Sequence, residues 1–120
     1  MDVILNDFLK LKLSLTELKE IMGNDLYNIT VKKPINVRAK DVAFLIGQYL
    51  SEEISLQKMM DWVNIIWFTD LYEYNLAEEE SIASVMTLLE TLDEDDAAFS
   101  NDEFLNMVKC LENNKIYDVL

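Results

Sequence analysis

The sequence has no histidine, one cysteine, two glycines and one proline in 120 residues, and its ten Lys/Arg are outnumbered by twenty-three Asp/Glu. Each shortage excludes something. Without histidine, the usual catalytic triads and dyads, the zincin helix motif and most transition-metal sites are out of reach. A lone Cys110 permits no internal disulfide, which excludes a disulfide-stapled secreted scaffold. Within "FLNMVKCLE" a helix turns this cysteine towards the core, where a free thiol packs as a small hydrophobe. Gly23 and Gly47 stand alone, so there is no glycine-rich phosphate loop. Such sparse turn punctuation argues against a sandwich or barrel and for long helices with short connections. No window approaches the roughly 18 uninterrupted apolar residues of a spanning helix, and "MDVILNDFLK" lacks the basic start and cleavage site of a signal peptide. The expected location is cytoplasmic, with no membrane partner.

What remains is an apolar half, at 51% of residues, in a chain of single-domain length. We expect one all-α domain over residues 1–120, a bundle of about five to six helices. Charge is unevenly spread. Residues 1–40 hold seven Lys/Arg against five Asp/Glu, a net of +2, whereas residues 41–120 hold three against eighteen, a net of −15. A surface of that sign repels phosphate backbones, so no nucleic acid is expected, and a cationic protein partner is favoured.

One pattern occurs twice. Phe8, Leu9, Leu13, Ser14, Leu15, Leu18 and Ile21 match Tyr49, Leu50, Ile54, Ser55, Leu56, Met59 and Trp62 at a constant offset of 41. In each copy a helix ends near Leu9 or Leu50, a polar turn follows, and a serine begins the next helix. The serine hydroxyl accepts from an orphan N–H of the first turn, which stabilises by roughly 1 kcal/mol. Leu13 with Leu18, and Ile54 with Met59, stand at the positions of a hydrophobic staple. Glu17 completes a capping box; Lys58, its counterpart, cannot. Two copies are too few for a solenoid, so duplication and convergence both stay open.

After Ser55, Met59, Met60, Val63, Ile66, Trp67 and Tyr74 recur at helical spacings, and Trp62, Ile65 and Phe68 widen the apolar arc, so this helix should be central. The two tryptophans are about 140° apart on a helix, which leaves one free to reach the surface. "VRAKDVAFLIGQYL" carries Val42, Leu45, Ile46, Tyr49 and Leu50 on one face, with Gly47 a candidate for close helix packing. "AEEESIASVMTLLETL" should bury Ile82, Val85, Met86, Leu89 and Leu92, with acids in a first turn that complement the helix dipole. "SNDEFLNMVKCLE" opens with a Ser100 to Glu103 capping box and should bury Phe104, Val108 and Leu111. Gly23 is placed to terminate a helix. Residues 26–37 alternate around Pro34 and read as a short β-hairpin or an extended loop.

Catalysis finds little support, and we expect no enzyme activity, no cofactor and no metal. Carboxylates are plentiful enough for a paired-acid hydrolase, but Glu78, Glu79 and Glu80 read more simply as an exposed first turn. In "DEDDAAFSNDEF", an EF-hand begun at Asp93 would place Ala97 and Ala98 at positions 5 and 6 and Phe104 at position 12, so ligands, glycine and bidentate acid are all missing. Recognition is left. Tyr72, Glu73 and Tyr74 form an aromatic-acid cluster that we place at the end of the central helix, before Glu78, Glu79 and Glu80; Asp93, Glu94, Asp95 and Asp96 form a second acidic cluster. Tyrosines make good interface anchors, and they also cap cores with wet hydroxyls. These ten residues are the candidate partner-binding set.

In size, charge and the corner "YLSEEISLQKMMDW", roughly residues 40–112 resemble the small acidic helical immunity proteins of bacterial toxin systems, of the colicin or contact-dependent growth inhibition type. That resemblance implies a cytoplasmic toxin inhibitor that binds a cognate, basic, nuclease-type toxin domain and blocks its active site. The alternative is a helical scaffold or adaptor, or a homo-oligomeric interaction subunit with no toxin partner.

Overall fold

The computed structural model describes residues 2–93 and 99–118. Helix α1 (Asp2–Leu9) is followed by α2 (Leu15–Met22), a 3-10 turn (Leu26–Asn28), strand β1 (Ile35–Val37), α3 (Ala39–Leu50) and α4 (Leu56–Phe68). Strand β2 (Tyr72–Tyr74), a 3-10 turn (Leu76–Glu78), α5 (Glu79–Leu89), a 3-10 turn (Glu90–Asp93) and α6 (Asn101–Glu112) complete the order. The fold is a mostly helical bundle, as the turn-poor sequence requires. Its buried apolar residues form one cluster, and its 13.9 Å radius of gyration is near the ~13.6 Å of a compact chain of this length.

The repeat encodes two corners built alike. Ser14 Oγ accepts from the Glu17 N–H and Ser55 Oγ from the Lys58 N–H, each at 3.1 Å. Glu17 Oε1 returns a bond from the Ser14 N–H at 3.0 Å, the arm that Lys58 cannot supply. That contact holds the exposed Glu17 carboxyl below its ordinary value. The likeness extends to the backbone. The Lys12 N–H donates to the Asp7 carbonyl at 2.8 Å and the Glu53 N–H to the Gln48 carbonyl at 2.9 Å. One residue earlier, Leu11 donates to Phe8 at 3.0 Å and Glu52 to Tyr49 at 3.1 Å. Together these are the two bonds of a Schellman motif, which needs a left-handed residue between them. Leu11 (φ 65°) and Glu52 (φ 63°) take that conformation although neither is glycine. Gly23 ends α2 at φ 93°, ψ 167°, a region open essentially to glycine alone.

Helix α4 is central. It buries Met59, Met60, Trp62, Val63, Ile65 and Ile66, while Trp67 is only half-buried. Trp62 is the inner tryptophan, and its Nε1–H donates to the Leu9 carbonyl at 3.0 Å, tying the end of α1 to the core. The helix stops at Phe68, earlier than the sequence suggested. Thr69 turns its hydroxyl back to the Ile65 carbonyl at 2.6 Å and the chain leaves as extended β2, so Tyr74 is not on the helix.

The reading of residues 26–37 is corrected in a related way. They contain no hairpin: a 3-10 turn comes first, and β1 pairs in parallel with the distant β2, in the register Ile35 to Tyr72, Asn36 to Glu73 and Val37 to Tyr74. The period-2 pattern marked a strand, but the partner lay beyond two helices. Gly47 gives no close packing either, since a Cβ there would meet nothing within 4 Å.

The start of α3 is closed by borrowed groups. Arg38 has no side-chain acceptor, so the Asp41 carboxylate takes the Arg38 N–H at 2.9 Å, while Glu78 Oε1 takes the Ala39 N–H at 3.3 Å. Asp41 is buried and pairs with Lys10 Nζ at 2.5 Å, joining the ends of α1 and α3. Helix α5 buries Ile82, Val85, Met86 and Leu89, with Leu92 beyond its end. In α6 the Ser100–Glu103 capping box is present and Phe104, Met107 and Leu111 are buried. Met107 takes the inner position expected of Val108, which is half-buried, as is Cys110.

Candidate protein-interaction surface

Alternation along the strands decides what the first acidic cluster presents. Side chains of consecutive strand residues point to opposite faces, so Ile35, Val37, Tyr72 and Tyr74 share the inner face and Asn36 and Glu73 the outer. Tyr72 is therefore not a surface anchor. It is 6% exposed, and its hydroxyl donates to the Leu5 carbonyl at 2.6 Å. Burial raises its ionisation well above the ordinary 10.0. Tyr74 is half-buried with its ring 6.2 Å from Trp67, which lies 6.4 Å from the exposed Phe68. Burial, and then the charge of Glu90, hold the Tyr74 hydroxyl protonated as well.

The acids divide by role. Glu78 is half-buried and occupied, accepting from the Asn75 side-chain amide at 2.8 Å and from Ala39, so it builds the fold instead of offering charge. It also sits in the 3-10 turn, before the first turn of α5. Glu73, Glu79 and Glu80 are exposed. Asp93 closes the 3-10 turn after α5; Glu94, Asp95 and Asp96 lie outside the described residues. The structure thus brings Glu73, Tyr74 and Glu79 together and removes Tyr72 and Glu78 from the contact set.

Between the exposed acids stands a residue that the sequence reading passed over. Leu76 is 83% exposed, the most exposed of the large hydrophobics described. It belongs to the walls of two grooves. One, of about 910 Å³, lies beside the strands and is lined by Lys33, Asn36, Glu73, Tyr74 and Glu79. The other, of about 460 Å³, lies between Glu79, Glu80 and Ile116, itself 58% exposed. An apolar projection flanked by two grooves and edged by charged side chains, three acidic and two basic, has an apolar centre and a polar rim. The signal in the sequence was slight: a single leucine outside any helical or strand period, between Asn75 and Ala77.

The sequence matches no family model, and neither a curated protein nor a solved structure is detectably similar. Among the described residues no group of three or more potential metal ligands converges, and no helix is long and apolar enough to cross a membrane.

Proposed function

We propose that this protein is a binding module for a basic protein partner, and that it works as an immunity protein, neutralising a toxin domain by occupying it. The observation that carries the reading is Leu76, a large apolar side chain left in water between grooves whose charged lining is Glu73, Glu79 and Glu80 with Lys33 and Lys115. Leaving a leucine exposed forgoes about 1.5–3 kcal/mol of burial free energy, which a partner recovers by covering it. The net charge of −13 supports a cationic partner, since complementary fields act over a Debye length and raise the association rate. A cognate nuclease, basic because it holds phosphate, fits that requirement.

The test is affinity capture from the native host, with the captured partner then purified and its kinetics measured at two salt concentrations. Glu79→Lys with Glu80→Lys should slow association and flatten its salt dependence, because rim charges act on encounter. Leu76→Ala should speed dissociation about tenfold, the consequence of losing a little over 1 kcal/mol of contact. An acidic partner, or an affinity indifferent to salt and to all three substitutions, would refute the assignment.

A further inference from the structure

The acidic surface does not end at the strands. Asn6 of α1 lines the larger groove, and Lys10, one helical turn further along the same face, lines a separate pocket of about 490 Å³ with Lys12, Lys40 and Phe44. Lys10 is committed to the buried Asp41, but Lys12 and Lys40 are exposed and form no ion pair among the described residues, and Phe44 is 47% exposed beside them. The halves are joined a second time where the Glu78 carboxylate meets the Ala39 N–H, next to Lys40. One strip of surface therefore carries Glu73, Glu79 and Leu76, with Lys33 beside them, at one end and Lys12, Lys40 and Phe44 at the other.

We propose that this strip binds a second copy of the chain in a twofold dimer, each protomer's Glu73 and Glu79 facing the other's Lys12 and Lys40. A patch that carries both signs is self-complementary under a twofold rotation, because the rotation brings each half onto its opposite and forms the same contact twice. Each half also contributes an exposed hydrophobe, Leu76 or Phe44, that the contact covers. The chain's own charge of −13 opposes approach at long range. At an ionic strength of about 0.15 M, however, the Debye length is about 8 Å, so the distant repulsion is screened while pairs in contact are not. The inference needs no partner and stands or falls separately from the function proposed above.

A charge-swap experiment tests it. One variant carries Lys12→Glu with Lys40→Glu; the other carries Glu73→Lys with Glu79→Lys. All four positions are exposed, and circular dichroism melts confirm that both variants fold. Sedimentation velocity is measured at about 0.15 M salt over a concentration range reaching about 1 mM. The wild type should dimerise and each variant alone should be monomeric, since like charges then face each other at both contacts. Mixed in equal amounts, the two variants should recover a heterodimer, because both contacts again pair opposite signs. A wild type that stays monomeric throughout, variants that dimerise as the wild type does, a mixture that stays monomeric, or growth beyond a dimer would each overturn the proposal.

Discussion

Replacing Glu52 with glycine should stabilise this protein, although glycine usually weakens a fold. Glu52 holds φ 63° at the corner between α3 and α4, and a left-handed residue with a Cβ costs roughly 1–2 kcal/mol there. Glycine removes that cost but adds about 0.5–1 kcal/mol of chain entropy to be lost on folding. The Glu52 side chain is exposed and forms no hydrogen bond or ion pair among the described residues, so nothing else is given up. The net gain is about 0.5–1 kcal/mol. With an unfolding entropy near 2.1 cal/mol/K per residue, that raises Tm by roughly 2–4 °C. Thermal melts followed by circular dichroism would read it, with Glu52→Ala as the reference because it removes the same carboxylate and keeps the left-handed strain. Glu53→Gly, one residue along and not at positive φ, should lower Tm instead. If Glu52→Gly is no more stable than Glu52→Ala, the corner does not carry the strain assigned to it.

Ser14→Ala and Ser55→Ala should each cost about 1 kcal/mol in chemical denaturation through loss of the cap, and unchanged midpoints for both would dismiss the capping role. Trp62→Phe keeps an aromatic ring but leaves the Leu9 carbonyl without its buried donor, so it should cost about 1–3 kcal/mol and show first as faster amide exchange in α1. Tyr72 and Tyr74 have ionisation values raised above 10.0 in the folded protein, so their contribution is complete below pH 10. As pH rises past that value the unfolded chain releases these protons first and stability falls. Phenolate absorbance followed beside helical ellipticity should show Tyr72 and Tyr74 ionising together with the loss of helix. Complete phenolate formation with helicity intact would contradict the burial of Tyr72.

Local chemistry was legible in the sequence wherever cause and effect lie within a few residues. Ser14, Ser55 and Ser100 announced three helix starts, and the spacing of Ile82, Val85, Met86 and Leu89 announced a buried face. The readings that failed required a distant partner. The pairing of residues 35–37 with 72–74 spans two helices, and no local pattern names a strand's partner. Tyr74 looked like a helix residue because its spacing of seven from Trp67 continued the helical pattern, whereas Thr69 had already ended the helix. Of the candidate contact residues, Glu73, Glu79 and Glu80 are exposed as an interface needs, but Glu78 is drawn inward by the Ala39 N–H, thirty-nine residues away in sequence. Leu76 was missed because a lone exposed leucine acquires meaning only from the grooves beside it.

The parallel strand pair also bears on the order of folding. β1 precedes α3 and β2 follows α4, so the bonds from the Ile35 N–H to Leu71 and from the Asn75 N–H to Val37 close a loop containing both helices. Closing so long a loop before α3 and α4 have packed would lose chain entropy with little contact to offset it, so the pairing belongs late in folding. Once made, it resists fraying, since Val37 and Leu71 are fully buried and opening the ladder exposes core. In native-state hydrogen exchange the Ile35 and Asn75 amides should therefore exchange as slowly as the interior of α4, despite belonging to strands of only three residues. Faster exchange there than in α4 would mean that the ladder opens independently of the helices it encloses.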